Sequence, residues 1–215
     1  MTLSPDTHIA AISFEHDIQR LTDDFTGRDW IFKRIGEWLK NKSDRFFILT
    51  GEPGVGKSAI AAQLIKIDKN DIKAFHFCRA GDVETVRPGR ILRSLAAQLG
   101  KNLPLHGQAL ANTIKPVHLR VEVNVKIESM TGSQLTGVYI EYLKESDPDN
   151  ELDILIRAPL AELEKMYAQQ QQKPPDAAVI LIDSLDEAVT TTGDENDVKQ
   201  KLWAMLAYAL MLMIN

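Results

Sequence analysis

Gly51-Glu52-Pro53-Gly54-Val55-Gly56-Lys57-Ser58 is the stretch on which the fold reading turns. It fills every fixed position of the pattern G-x-x-x-x-G-K-[ST], which average composition yields on the order of once in a hundred chains of this length. The chemistry of a phosphate-binding loop asks for these residue types. Glycines let the backbone curl so that successive N–H groups converge on phosphate oxygens, and the following helix offers its positive end to the same anion. In that reading Gly51, Glu52, Pro53, Gly54, Val55 and Gly56 wrap the phosphates, Lys57 reaches the β- and γ-phosphates, and the Ser58 hydroxyl ligates Mg²⁺. The flanks agree. Phe46-Phe47-Ile48-Leu49 is a short apolar run that predicts a buried strand, and Ala59 to Ile67 is helical in composition. An ordinary strand–turn–helix connection with a coincidental lysine is the bland alternative.

A phosphate loop needs carboxylates to organise magnesium and water. The run Ala177-Ala178-Val179-Ile180-Leu181-Ile182 is the clearest buried strand in the chain, and Asp183 follows it directly. The carboxyl end of such a strand opens onto the ligand crevice of an open α/β sheet. Asp183 is therefore the expected metal-side aspartate, holding Mg²⁺ through water. Asp186 and Glu187 are the candidate catalytic acids, one of which would orient the attacking water. A solvated acidic turn is the competing reading of the same residues.

Around these motifs the apolar spacing predicts a helix from Asp29 to Lys40, a second strand at Ala74–Cys78, and a helix from Pro88 to Gly100. Val117, Leu119, Val121, Val123, Val125 and Ile127 alternate with polar residues. With Gly137–Ile140 they predict a half-exposed hairpin inserted at about 117–143. Glu151 to Gln170 reads as a helix interrupted near Pro159. The expected architecture is α/β: a three-layer P-loop NTPase fold with a mostly parallel sheet and that inserted β-hairpin. Residues 1–24 form an N-terminal extension and 25–215 the nucleotide-binding domain.

Composition sets the outer bounds. The chain has 215 residues and a mass of 24.1 kDa, is 44% hydrophobic and 26% charged, and carries net charge −5 with a pI near 5.6. These values exclude collagen-like and wholly disordered classes, and the acidic balance argues against nucleic acid as a partner. One cysteine, Cys78, excludes an intramolecular disulfide framework. No signal peptide is visible. The apolar run Leu202–Ile214 holds thirteen uncharged residues, short of the roughly 18 to 20 of a spanning helix. The expectation is a cytoplasmic protein without a membrane partner. His8, His16, His76, His106 and His118 lack paired metal-ligand spacing. Arg79, Arg87, Arg90 and Arg93 could contact phosphate, but a solvated helix face is the simpler reading. Trp30, Trp38 and Trp203 stand at apolar helical positions and need no ligand to explain them.

Asp183-Ser184-Leu185-Asp186-Glu187 resembles the D-[GAS]-h-D-E ending of the second motif in NACHT-type proteins, of the STAND class of signal-transduction ATPases within the AAA-like P-loop group. Phe25-Thr26-Gly27-Arg28, followed by the Trp30–Leu39 helix, is similar to the hxGR element that precedes the loop in that class. The resemblance covers roughly Asp24 to Ala188. It implies that Gly27 and Arg28 contact the base side of the nucleotide. It also implies that ATP and Mg²⁺ serve a slowly hydrolysing switch, with homo-oligomers and downstream repeat or effector domains belonging to a larger signalling or defence protein. Lys57 and Asp183 lie 126 positions apart and 32 residues follow Asp183. The class continues there with a strand ending in a basic sensor, often T-S-R, where this chain has Leu202 to Asn215. The expectation is a domain incomplete at its C-terminus. The rival readings are a truncated, non-catalytic nucleotide-binding or interaction fragment and, more remotely, a kinase.

Overall fold

A computed structural model describes residues 10–41, 44, 46–68, 70–103, 105–113, 151–171, 173–175 and 178–187. The inserted hairpin expected at 117–143 and the Leu202–Ile214 run lie outside these residues. The elements are α1 (Glu15–Thr22), α2 (Asp29–Lys40), α3 (Lys57–Ile67), β1 (Ile72–Phe77), α4 (Val83–Val86), α5 (Pro88–Asn102), α6 (His106–Thr113), a π-helical turn (Asp153–Arg157), α7 (Ala158–Gln169) and β2 (Val179–Asp183). They make a mixed helix–strand architecture around a two-stranded parallel sheet.

Parallel pairing brings together segments about a hundred residues apart in sequence, with Phe75 opposite Leu181, His76 opposite Ile182 and Phe77 opposite Asp183. The register shifts between Ile72 and Ala74, where Ile72 pairs with Val179 and Ala74 with Ile180. One extra residue reverses the side-chain alternation. Ile72 and Phe75 thereby share one face with Val179 and Leu181, while Ala74 faces the other way with Ile180. Each face is covered. On the first lie Phe14 before α1 and Ala62 and Ile65 of α3. On the second, Ile91, Leu92, Leu95 and Leu99 of α5 join Leu110 of α6, the Leu155 turn and Leu163 of α7 in the largest apolar cluster. That arrangement is a three-layer α/β packing of the described elements.

Local signals explain most boundaries. Pro88 opens α5, where a missing N–H costs nothing. The helix runs two residues past the expected stop at Gly100, and Leu99 and Leu103, both buried, anchor the extra turn. The interruption expected near Pro159 is the π-helical turn. Ala158 N–H bonds back five residues to Asp153, a wider turn immediately before a proline that has no N–H to give.

One expectation is overturned. Phe46-Phe47-Ile48-Leu49 was expected as a buried strand but joins no ladder among the described residues, and Ile48 is 65% exposed. Alternate side chains do the packing. Phe47 lies 5.7 Å from the Trp38 ring, and Phe47 and Leu49 rest on the Ile31–Ile35–Ile60 cluster between α2 and α3. The run is covered on one side only, so an uninterrupted apolar sequence overstated its burial.

The free edge of β1 is closed by a side chain. The Gln98 amide, projecting from α5, accepts from Phe75 N–H at 2.9 Å and donates to Phe75 C=O at 2.8 Å. It thus substitutes for a strand neighbour at an edge that would otherwise template unwanted pairing. Arg93 of α5 and Glu151 form a buried ion pair at 2.7 Å. A Cβ on Gly89 would come within 2.7 Å of Glu151 Oε2, so a side chain there would push on the buried carboxylate that pairs with Arg93. Among the described residues no helix is long and apolar enough to cross a membrane.

Replacing Gln98 with leucine leaves the two half-buried backbone groups of Phe75 without this partner. We expect a loss of about 2–3 kcal/mol in urea unfolding; an unchanged midpoint would show that the edge is satisfied otherwise. Two buried imidazoles set a pH dependence. His76 and His106 are fully buried, and burial pushes each down to about 4 from its ordinary value. The folded chain keeps both rings neutral, whereas the unfolded chain takes up protons below about pH 6.5. Their stabilising effect is complete above that pH and is lost as pH falls toward 4, by on the order of 3 kcal/mol per ring. Neither nitrogen of His106 has a partner among the described residues. His106→Leu should therefore flatten part of the slope of stability against pH between 6.5 and 4.

Candidate functional site

The Gly51–Ser58 loop is shaped by backbone geometry that only some residues tolerate. Gly54 and Gly56 have φ of +81° and +93°, in the left-handed region that an L side chain enters with strain. Gly56 is also the residue from which α3 springs. The first helical bond runs from Ile60 N–H to Gly56 C=O at 3.0 Å, so the amides of Lys57, Ser58 and Ala59 precede the helical ladder. A Cβ on Gly51 would meet Val55 Cγ2 at 3.1 Å, so the exposed valine side chain would have to give way slightly.

Lys57, the first residue of α3, turns its ammonium back across the loop. Its Nζ donates to Gly51 C=O at 2.8 Å and to Glu52 C=O at 3.0 Å. Among the described residues the ammonium is held at the loop by these two carbonyls and no carboxylate. A guanidinium supports the loop from the other side, with Arg28 Nη2 donating to Val55 C=O at 3.0 Å. Gly27 and Arg28 are both left-handed, with φ of 72° and 69°. For arginine that conformation carries strain, which the start of α2 and the bond to Val55 maintain. Two elements read separately in the sequence, the Gly27-Arg28 pair and the glycine loop, are thus joined by a hydrogen bond. Ile31 and Ile35 of α2 pack with Ile60 of α3 behind it.

Asp183 is the last residue of β2, and its backbone carbonyl accepts from Cys78 N–H at 3.1 Å. Ser184 Oγ donates to Asp183 Oδ2 at 3.3 Å, and Ser184 has φ of 55°, which turns the chain sharply away from the strand. Glu187 N–H closes the turn on Ser184 C=O at 3.0 Å, while Leu185 packs inward on the large cluster. Asp183, Asp186 and Glu187 surround Cys78. Burial first, and then those three carboxylates, push its thiol up to about 12. Cys78 is a packed, protonated group and not a nucleophile.

The structure links Gly27 and Arg28 to the loop and gathers the three acids at one strand end. Helix α3, which starts at Lys57, packs against β2, which ends at Asp183. No hydrogen bond or ion pair joins Lys57 to Asp183 among the described residues. Nor does any group of three His, Cys, Asp or Glu side chains among them form a metal cage. The Ser58 hydroxyl and the Asp183 carboxylate are oxygen donors of the kind a hard cation takes.

The arginine patch takes a different form from the solvated face expected. Arg79 pairs with Asp17 and Asp82, Arg90 with Glu84 at 2.8 Å, and Arg93 is buried against Glu151. These three have an acid at hand and help to hold the fold, while Arg87 is exposed, as the solvated-face reading expects. Arg79 also lies over Phe14, 5.1 Å from the ring centroid, and so fastens the segment before α1 to the end of β1. The 62-residue separation between Asp17 and Arg79 left no local signal for that pair in the sequence.

Comparison with known proteins agrees with one part of this picture. Residues 27–126 match the family model described as nephrocystin 3, N-terminal, a family belonging to the NACHT/STAND-type proteins. No curated protein and no solved structure matches the chain. The matched span begins at Gly27 and includes the glycine loop, α3 and β1, and it ends before β2 and its acidic turn.

Proposed function

We propose that this chain is the nucleotide-binding switch module of a multidomain signalling protein, binding ATP with Mg²⁺ and hydrolysing it slowly. The observation that carries the reading is the loop itself. Two left-handed glycines lead into α3, and the Lys57 ammonium is turned back over the loop onto the Gly51 and Glu52 carbonyls, where a phosphate would meet it. The family match over 27–126 supports the signalling context.

In this reading the loop amides and Lys57 bind the β- and γ-phosphates, and Ser58 with Asp183 holds the cation. Bound magnesium would supply charge neutralisation on the phosphate oxygens. Ser184 orients the Asp183 carboxylate through the hydrogen bond to Oδ2. Glu187 is the base that positions water and Asp186 supports it, with Gly27 and Arg28 on the base side. The link from Arg28 to Val55 gives the switch a physical route, since a shift of the loop around phosphate is felt at the start of α2.

Lys57→Ala should lower Mg-ATP affinity at least about tenfold by titration calorimetry. Equal affinity in wild type and variant would end the phosphate assignment. Glu187→Gln should keep nucleotide while phosphate release falls about 100-fold. Release at the wild-type rate would remove Glu187 from catalysis, and no release from the wild type would favour a binding module without turnover.

A further inference from the structure

We propose that Asp17 is a positioning residue of this site, holding Asp183 in place for the cation by way of Arg79 and Cys78. The role rests on the nucleotide reading of the loop and the acidic turn, and extends it to a residue in a different element. Asp183, Asp186 and Glu187 gather around Cys78, where their like charges repel. Past the ladder, β1 holds this turn by one backbone bond, from Cys78 N–H to Asp183 C=O at 3.1 Å. Directly after Cys78 the chain leaves the strand. Asp82 N–H closes a turn on Arg79 C=O at 3.1 Å, and Gly81 within it is left-handed, with φ of 80°. A strand end that runs straight into a turn opens readily unless another element restrains it.

Arg79 carries that restraint. Its guanidinium lies over the Phe14 ring and pairs with both Asp82 and Asp17, and its backbone N–H donates to Thr85 Oγ1 at 3.0 Å. Asp82 closes the same turn and Thr85 lies in the α4 that follows it, so both move with Arg79. Asp17 does not. It stands in the first turn of α1, and α1 packs against α3, the helix that begins at Lys57. Thr22, the last residue of α1, accepts a bond from Lys66 Nζ of α3 at 3.3 Å. Phe14 adds burial to the junction, whereas the Asp17 carboxylate gives the guanidinium a direction. The pair of Asp17 with Arg79 thus ties the acidic end of the sheet to the helix of the phosphate loop. Both side chains are partly buried, where salt screens an ion pair less than in open solvent.

Asp17→Asn removes the charge and keeps the shape. Without nucleotide, amide hydrogen exchange at Cys78 should quicken about 3- to 10-fold in this variant. By calorimetry its affinity for ATP in EDTA should match wild type, while the gain in affinity on adding Mg²⁺ should shrink about 3- to 10-fold. Asp17→Glu should recover most of both. Asp183→Asn should lose the Mg²⁺ gain, and Asp17→Asn added to it should cost nothing more, since the two act at one point. A merely structural role for Asp17 predicts weaker ATP binding in EDTA as well, or losses that add in the double variant. Either result would overturn the positioning role. So would an unchanged exchange rate at Cys78 or an undiminished Mg²⁺ gain, with Lys57→Ala still defective in ATP binding. Wild type that binds no ATP, or Lys57→Ala that binds it as tightly, would bring down the nucleotide reading and the positioning role together.

Discussion

Parallel pairing of β1 with β2 is the constraint on which the rest of the structure hangs. It joins segments about a hundred residues apart, and such pairing is established only after a long loop has closed. Once made, it decides which helices meet. The one-residue shift between Ile72 and Ala74 turns Ala74 and Ile180 toward α5 and keeps Ile72, Phe75, Val179 and Leu181 toward α3. A ladder without that shift would have set large and small side chains against the wrong layers. The Gln98 amide pairs both backbone groups of Phe75 at the outer edge of β1.

The same pairing sets the chemistry at the carboxyl ends of the strands. Phe77 opposite Asp183, and Cys78 N–H on Asp183 C=O, bring a thiol among three acids. The outcome is an inert cysteine and a concentrated negative turn. At the start of α3 the Lys57 ammonium lies among the loop carbonyls, and the proposed nucleotide role rests on that charge meeting phosphate.

Much of this was legible beforehand where the deciding physics is local. Asp29–Lys40 is a helix with the predicted ends because its apolar spacing and its terminal charges agree. Lys57–Ile67 follows Gly56 for the same kind of reason, and Val179–Asp183 is a strand because its branched residues are covered on two faces. Phe46–Leu49 misled because an apolar run carries no information about whether a neighbouring strand exists to pair with it. Arg79 and Arg93 read as surface residues, since their partners Asp17 and Glu151 lie 62 and 58 positions away. Trp30 read as core for the opposite reason: helical spacing assigns a face but does not say whether anything packs on it.

By itself the sequence determined the phosphate-loop pattern, the acidic strand end and the types of α2, α3, α5, β1 and β2, because each depends on residues within a few positions of one another. Tertiary structure alone decided that Arg28 braces Val55, that Gln98 pairs with the Phe75 backbone at the sheet edge, that Arg79 locks Phe14 and Asp17 in place, and that Trp30 stays exposed. Those outcomes depend on distances between residues far apart in the chain. Such distances exist only once burial of the two sheet faces has fixed where each helix lies.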